Sequence, residues 1–125
     1  MEKIPDRILL AHGGGGILMR ELIEEVVKRI GSADAPSLQD SAIVEIDGSR
    51  IAFTTDSFVV SPIFFPGGDI GTLSIYGTVN DLAVSGARPI AVSLAFIVEE
   101  GFPMESLERV ADSIRSAADR AGVSI

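Results

Sequence analysis

At 125 residues, with 46% hydrophobic side chains and a mean hydropathy of +0.38, the chain is apolar enough to bury one real core, which excludes disorder. It has no cysteine, which excludes a disulfide framework, a zinc thiolate site and a cysteine nucleophile within these residues. A net charge of −8, with Lys3 and Lys28 the only lysines, excludes the basic face that nucleic-acid binding needs and leaves a bridging divalent cation as the route to any polyphosphate.

Met1 to Arg7 is charged and lacks the apolar stretch of a signal peptide. No run of about 18 uncharged apolar residues occurs, so a cytoplasmic protein with no membrane partner is expected. His12-Gly-Gly-Gly-Gly16 reads as the end of a flexible glycine-rich segment over residues 1–16, ahead of a domain over 17–125. A helix follows from Ile17 to Ile30. Its apolar residues Leu18, Leu22, Val26 and Ile30 recur every fourth position, with Met19, Ile23 and Val27 beside them, and Glu21, Glu24, Glu25, Lys28 and Arg29 take the wet side. Gly31 is expected to stop it. Ala42 to Ile46 and Arg50 to Thr55 read as strands around Asp47-Gly48, a dipeptide suited to a tight hairpin turn because glycine tolerates positive φ. Pro62, Pro66, Gly67 and Gly68 mark a loop, and Asp69 is placed to cap a central helix. Beyond Arg88-Pro89, Ile90 to Val98 is a long β-prone run. Leu107, Val110, Ile114 and Ala118 stripe an amphipathic helix that begins near Met104 and closes at Gly122, and Val123-Ser-Ile125 reads as the start of a strand. The order α-β-β-α-β-α-(β) predicts an α+β fold, with helices on one face of a mixed or antiparallel sheet. A chain that ends as it enters a sheet is expected to be part of a longer protein.

The segment Gly77-Thr-Val-Asn-Asp-Leu-Ala-Val-Ser-Gly-Ala87 reads as a helix that is apolar nearly all round, yet it carries Asn80 and Asp81 in its middle. An unpaired carboxylate among apolar neighbours costs several kcal/mol, roughly, so an acid kept there calls for a cation, a hydrogen-bond donor or a ligand. Two further acids stand at element ends: Asp40 before the first strand and Asp56 after the second. Three carboxylates from separate elements would suit magnesium held against a polyphosphate, because hard divalent cations take oxygen ligands. The plainer alternative leaves Asp40 capping a turn, Asp56 capping the loop that follows and Asp81 meeting an arginine.

Gly13, Gly14, Gly15 and Gly16 would let backbone N–H groups approach phosphates at the start of the next helix. The segment lacks the Gly-Lys-Ser/Thr ending of a P-loop and follows no clear strand, so a flexible tether is the competing reading. His12, the sole histidine, reads as a solvated or capping residue, although its pKa range would suit proton transfer. No Ser-His-Asp or paired-glutamate arrangement is present, and no catalytic residue is assigned. Phe58, Phe64 and Phe65 read as core or as an apolar subunit contact.

Five motifs carry a resemblance that spans nearly the whole chain. Ala11-His-Gly-Gly-Gly-Gly16, Thr54-Thr-Asp-Ser-Phe-Val-Val-Ser-Pro62, Phe65-Pro-Gly-Gly-Asp-Ile-Gly71, Gly77 to Ala87 and Ala95-Phe-Ile-Val-Glu-Glu-Gly-Phe-Pro103 resemble, in the same order, the hydrogenase maturation family HypE. The wider superfamily includes aminoimidazole ribonucleotide synthetase, selenophosphate synthetase and thiamine monophosphate kinase. The resemblance implies an ATP-dependent carbamoyl dehydratase, which converts a carbamoyl thioester on its own C-terminal cysteine to a thiocyanate, the source of the cyanide ligands of nickel–iron hydrogenases. It implies N-terminal domains that pair their sheets into a barrel across a homodimer, with ATP and Mg2+ in clefts beside it. By position it implies metal ligation by Asp40, Asp56 and Asp81, phosphate cover by Gly13 to Gly16, and a supporting role at the nucleotide for Asn80. The implied partners are other maturation proteins, a carbamoyltransferase and an iron-scaffold complex. Two departures matter: the terminal cysteine is absent, and so are a downstream Gly-Asp-Thr-Lys segment and a second domain. The expectation is therefore an ATP-binding and dimerisation domain that is inactive by itself. Selenophosphate synthetase is the nearest enzymatic alternative, but it would carry a reactive cysteine or selenocysteine and a lysine in its glycine-rich segment. A reading of another class makes the domain chiefly a dimerisation or docking module for maturation partners.

Overall fold

The computed structural model describes residues 7–30 and 39–125. The chain forms two compact units, Met1–Leu38 and Gln39–Ile125.

In the first unit a 3-10 turn over Leu10–Gly13 precedes helix α1, Ile17–Ile30. His12 is buried, and its ring caps the turn: the Leu9 backbone N–H donates to Nδ1 at 2.9 Å. The solvated alternative for this histidine is thereby set aside. Helix α1 buries none of its side chains fully; its stripe residues Leu18, Leu22 and Val27 are half-buried, while Ile17, Val26 and Ile30 stay exposed. Arg29 and Glu25 pair at 2.7 Å one turn apart on the wet side, as the charge pattern implied. The stop assigned to Gly31 lies outside the described residues.

The second unit opens with the hairpin of β1, Ala42–Ile46, and β2, Ser49–Phe53. Asp47 and Gly48, at φ 49° and 78°, supply the two left-handed residues that a tight turn matching strand twist requires. Strand β2 ends two residues earlier than the sequence suggested. Phe53 is opposite Ala42, the first residue of β1, so Thr54 and Thr55 have no partner to extend the ladder. The expected loop around Pro66 is a small antiparallel hairpin of β3, Phe64–Phe65, and β4, Gly68–Asp69, turned by Pro66 and Gly67 with φ 91° at the glycine.

Helix α2, Ile70–Val84, starts where Asp69 caps it: Oδ1 accepts the Thr72 N–H at 2.9 Å, and the Asp69 N–H donates back to Thr72 Oγ1 at 3.0 Å. The helix stops short of the expected Ala87. Gly86 takes φ 76°, and the N–H groups of Gly86 and Ala87 turn back onto the carbonyls of Ala83 and Leu82. Helix α3, Met104–Ala121, ends at Gly122 with φ 68°, as predicted. The two helices meet over Gly71, where an added Cβ would lie 2.7 Å from the Val110 carbonyl oxygen. Ile75, Val110, Ile114 and Ala117 form the core there, with Ile63, Phe64, Ile70, Val79, Val92 and Ala121 around them. Each fully buried aliphatic residue contributes on the order of 2 kcal/mol of transfer free energy. Buried Asp69 also accepts a hydrogen bond from Ser113 Oγ, which ties the start of α2 to α3.

One expectation fails here. The α+β class and antiparallel pairing hold, but the described residues have two separate two-stranded antiparallel sheets and three α-helices, not one continuous sheet backed by helices. The run from Ile90 to Val98 forms no strand; its backbone pairs at a parallel bridge between Ala91 and Ser124, where the Val92 and Ser124 N–H groups donate at 2.8 and 3.0 Å, and Val92 packs against the core. Its β propensity has no ladder to join, and Ile90, Leu94, Phe96, Ile97 and Val98 remain exposed.

Candidate functional site: an acidic cleft

In the second unit, the entry to β1, the exit of β2 and the last third of α2 border an open cleft of about 440 Å³. Gln39, Asp40, Ser41 and Ala42 line it from one strand, Phe53, Thr54, Thr55 and Asp56 from the other, and Asp81 from the helix. The volume is that of a small-molecule site. The structure thus brings together the three acids picked out from the sequence.

The Asp81 carboxyl is held above the usual aspartate range, first because Asp56 shares a hydrogen bond with it, which favours the protonated form. Partial desolvation adds to this, followed by the negative charges of Asp56 and, more weakly, Asp40. Among the described residues no arginine pairs with Asp81, so the plain salt-bridge alternative does not describe this acid there. Thr54 Oγ1 donates to Asp56 Oδ2 at 3.3 Å and holds that carboxylate from the β2 side.

The donors that line the cleft are carboxylates, hydroxyls and an amide, all suited to a hard cation. Among the described residues no three His, Cys, Asp or Glu side chains are closed up tightly enough to make a cage by themselves. Of the two neighbours, Asp56 acts on the Asp81 carboxyl more strongly than Asp40 does. An open pair of carboxylates with a third nearby fits magnesium, which keeps several waters and takes one or two protein carboxylates.

Asn80 is exposed on α2 and does not line the cleft. Gly13 to Gly16 belong to the first unit; an added Cβ at Gly13, Gly15 or Gly16 would meet no atom within 4 Å. Phe58 packs on α2, its ring 2.7 Å from where a Cβ on Gly77 would be, and Phe64 carries the Arg109 guanidinium 4.0 Å above its ring centre. Both phenylalanines are half-buried and pack within this unit.

Sequence reasoning missed Ser41 and Ser85. Ser41 Oγ donates to Ser85 Oγ at 2.7 Å, and Ser85 Oγ donates to the Asp81 carbonyl at 3.0 Å. The available signal was a serine four residues after Asp81 in a helix's last turn, a spacing at which hydroxyls bond back to the backbone. Nothing in the sequence pointed to Ser41.

Residues 38–125 match the family described as AIR synthase related protein, N-terminal domain. The chain belongs to this family. The matched span holds all three aspartates and Asn80 and leaves out the glycine segment. A carbamoyl dehydratase HypE of Rhodobacter capsulatus is 52% identical over 96% of this chain and 36% of its own length. The HypE–HypF complex structure is similar at a TM-score of 0.72, with 43% identity over 88% of this chain and 34% of that one. A HypE structure in complex with ATP matches at a TM-score of 0.59, with 46% identity over 94% of this chain and 35% of that chain. The chain therefore spans about a third of the length of the HypE proteins it resembles. Among the described residues no helix is long and apolar enough to cross a membrane.

Proposed function

We propose that the chain is the ATP- and magnesium-binding, dimer-forming domain of a HypE-type carbamoyl dehydratase that serves nickel–iron hydrogenase maturation. The observation that carries this reading is that Asp40, Asp56 and Asp81 line one cleft, together with the hydroxyls of Ser41, Thr54 and Thr55. The similarity to a HypE solved with ATP supports the nucleotide. Asp40, Asp56 and Asp81 would hold the magnesium. When bound, the cation supplies charge neutralisation for polyphosphate at a surface that otherwise repels it. The residues' own work is to position: the Asp56–Asp81 pair fixes one point on the cation, and Thr54 orients Asp56. Gly13 to Gly16 and Asn80 are proposed contacts to the nucleotide, on the family resemblance. With no cysteine to bear a carbamoyl thioester, this chain binds but does not turn over by itself.

The homodimer rests on a separate observation. The β1–β2 hairpin is covered on neither face: Ile43 is 45% exposed on one side, and Val44, Ile51 and Phe53 are 40%, 47% and 53% exposed on the other. A lone two-stranded hairpin is marginal in water, and an apolar one calls for a covering sheet. A second copy supplies it, and closure into a barrel would remove the exposed edges. The similarity to HypE in a HypE–HypF complex supports a maturation protein as a further partner of the whole protein.

Calorimetry with magnesium–ATP on the chain and on Asp81→Asn tests the site. Magnesium-dependent binding that disappears in the variant is expected; equal binding by both would end the assignment. Sedimentation tests the dimer, and a monomer at high micromolar concentration would refute the barrel.

A further inference from the structure

We propose that Ser41 and Ser85 are positioning residues for the acidic cleft, a two-hydroxyl latch that sets the distance between the Asp40 strand entry and the Asp81 turn of α2. The inference rests on the reading of the cleft as a cation–nucleotide site. Ser41 adjoins Asp40 and is buried at 8% exposure, with its hydroxyl turned to the helix. It donates to Ser85 Oγ at 2.7 Å, and Ser85 Oγ in turn donates to the carbonyl of Asp81 at 3.0 Å. The relay therefore runs from the residue beside one candidate ligand to the backbone of another.

The latch matters because of how little else fixes this distance. Neither strand of the β1–β2 hairpin packs broadly on a helix among the described residues. The Ser41–Ser85 hydroxyl pair supplies a directional bond between strand entry and helix, and directional bonds hold a distance where apolar contact would only limit it. Deleting either hydroxyl breaks the Ser41–Ser85 bond, so both single deletions should release the strand entry from the helix, although Ser85 keeps its bond to the Asp81 carbonyl when Ser41 is cut.

The test is magnesium–ATP calorimetry on Ser85→Ala, Ser41→Ala, the double variant and Ser85→Thr, each checked by thermal melting and by NMR cross-peaks between Ser41 and the last turn of α2. One net hydrogen bond corresponds to about a five- to tenfold loss of affinity in each alanine variant. The double variant should be no weaker than either single one, and Ser85→Thr, which keeps the hydroxyl, should bind within about twofold of the unsubstituted chain. The cross-peaks between Ser41 and the unsubstituted residues of the last turn of α2 should weaken in Ser85→Ala and persist in Ser85→Thr. Unchanged affinity in Ser85→Ala would overturn the latch, as would a loss of affinity that merely follows a loss of folded protein. No binding by the unsubstituted chain would overturn the nucleotide reading instead; cross-peaks undiminished in Ser85→Ala would then still refute the latch.

Discussion

Replacing Asp69 by alanine removes two connections at once. The carboxylate is 7% exposed, accepts the Thr72 N–H at the start of α2 through Oδ1, and accepts Ser113 Oγ of α3 through Oδ2. Loss of the helix cap costs about 1 kcal/mol. Loss of a hydrogen bond to a charged acceptor, with the Ser113 hydroxyl left half-buried, adds about 1–2 kcal/mol. The sum of roughly 2–3 kcal/mol corresponds to a melting temperature about 10–20 °C lower for a unit of this size. Circular dichroism melts at fixed protein concentration read it directly, since dimerisation would otherwise shift the midpoint. Two companion variants divide the effect: Asp69→Ser keeps a capping oxygen but breaks the tie to α3, and Ser113→Ala breaks the tie alone. Each should cost about half as much. An Asp69→Ala melt within about 2 °C of the unsubstituted chain, or an Asp69→Ser melt as low as that of Asp69→Ala, would refute the two-part account.

Because the Asp81 carboxyl is raised in the folded chain, its ionisation is disfavoured there relative to the unfolded chain. Stability is therefore reduced above the folded pKa and recovers as pH falls through it towards the ordinary aspartate value. Asp81→Asn should raise the melting temperature at pH 7, with the gain shrinking as the medium is acidified, and magnesium with ATP should stabilise the unsubstituted chain but not the variant. Gly71→Ala places a methyl carbon 2.7 Å from the Val110 carbonyl; the close approach outweighs alanine's helix preference, and urea titration should show a net loss of about 1–2 kcal/mol. Ile51→Lys puts a charge on the uncovered face of the hairpin, and sedimentation should show the dimer weakened while the circular dichroism of the helices is unchanged.

The helices were legible because their signals are local and redundant. Leu107, Val110, Ile114 and Ala118 repeat at helical spacing, Asp69 and Gly122 bracket α2 and α3, and the structure honours each. The β1–β2 hairpin was equally plain, since Asp47-Gly48 dictates its turn. The β3–β4 hairpin was not, because two-residue strands have no period to read and Pro66-Gly67 advertises a turn without saying what flanks it. The run from Ile90 to Val98 shows the opposite limit: propensity marks a residue that would suit a sheet, but a ladder also needs a partner. At the site, Asp81 stood out by its apolar surroundings. Ser41 and Ser85 did not, because a hydroxyl pair 44 residues apart in sequence leaves no pattern behind.

The apolar character of α2 and the acid it carries have one physical explanation. Gly71, Ile75 and Leu82 are buried on the α3 side, so that face must be apolar, while Leu73, Tyr76 and Val84 are exposed and suit a second partner. Little of the helix surface is left for charge, yet Asp81 sits one turn from its C-terminal end. There the helix dipole also disfavours an anion, and Asp56 and Asp40 add to the strain. A sequence under selection for stability alone would have no use for an acid at that spot. A divalent cation removes all three penalties together, so the charges that weaken the free chain at neutral pH are the same ones that would give such a cation its affinity.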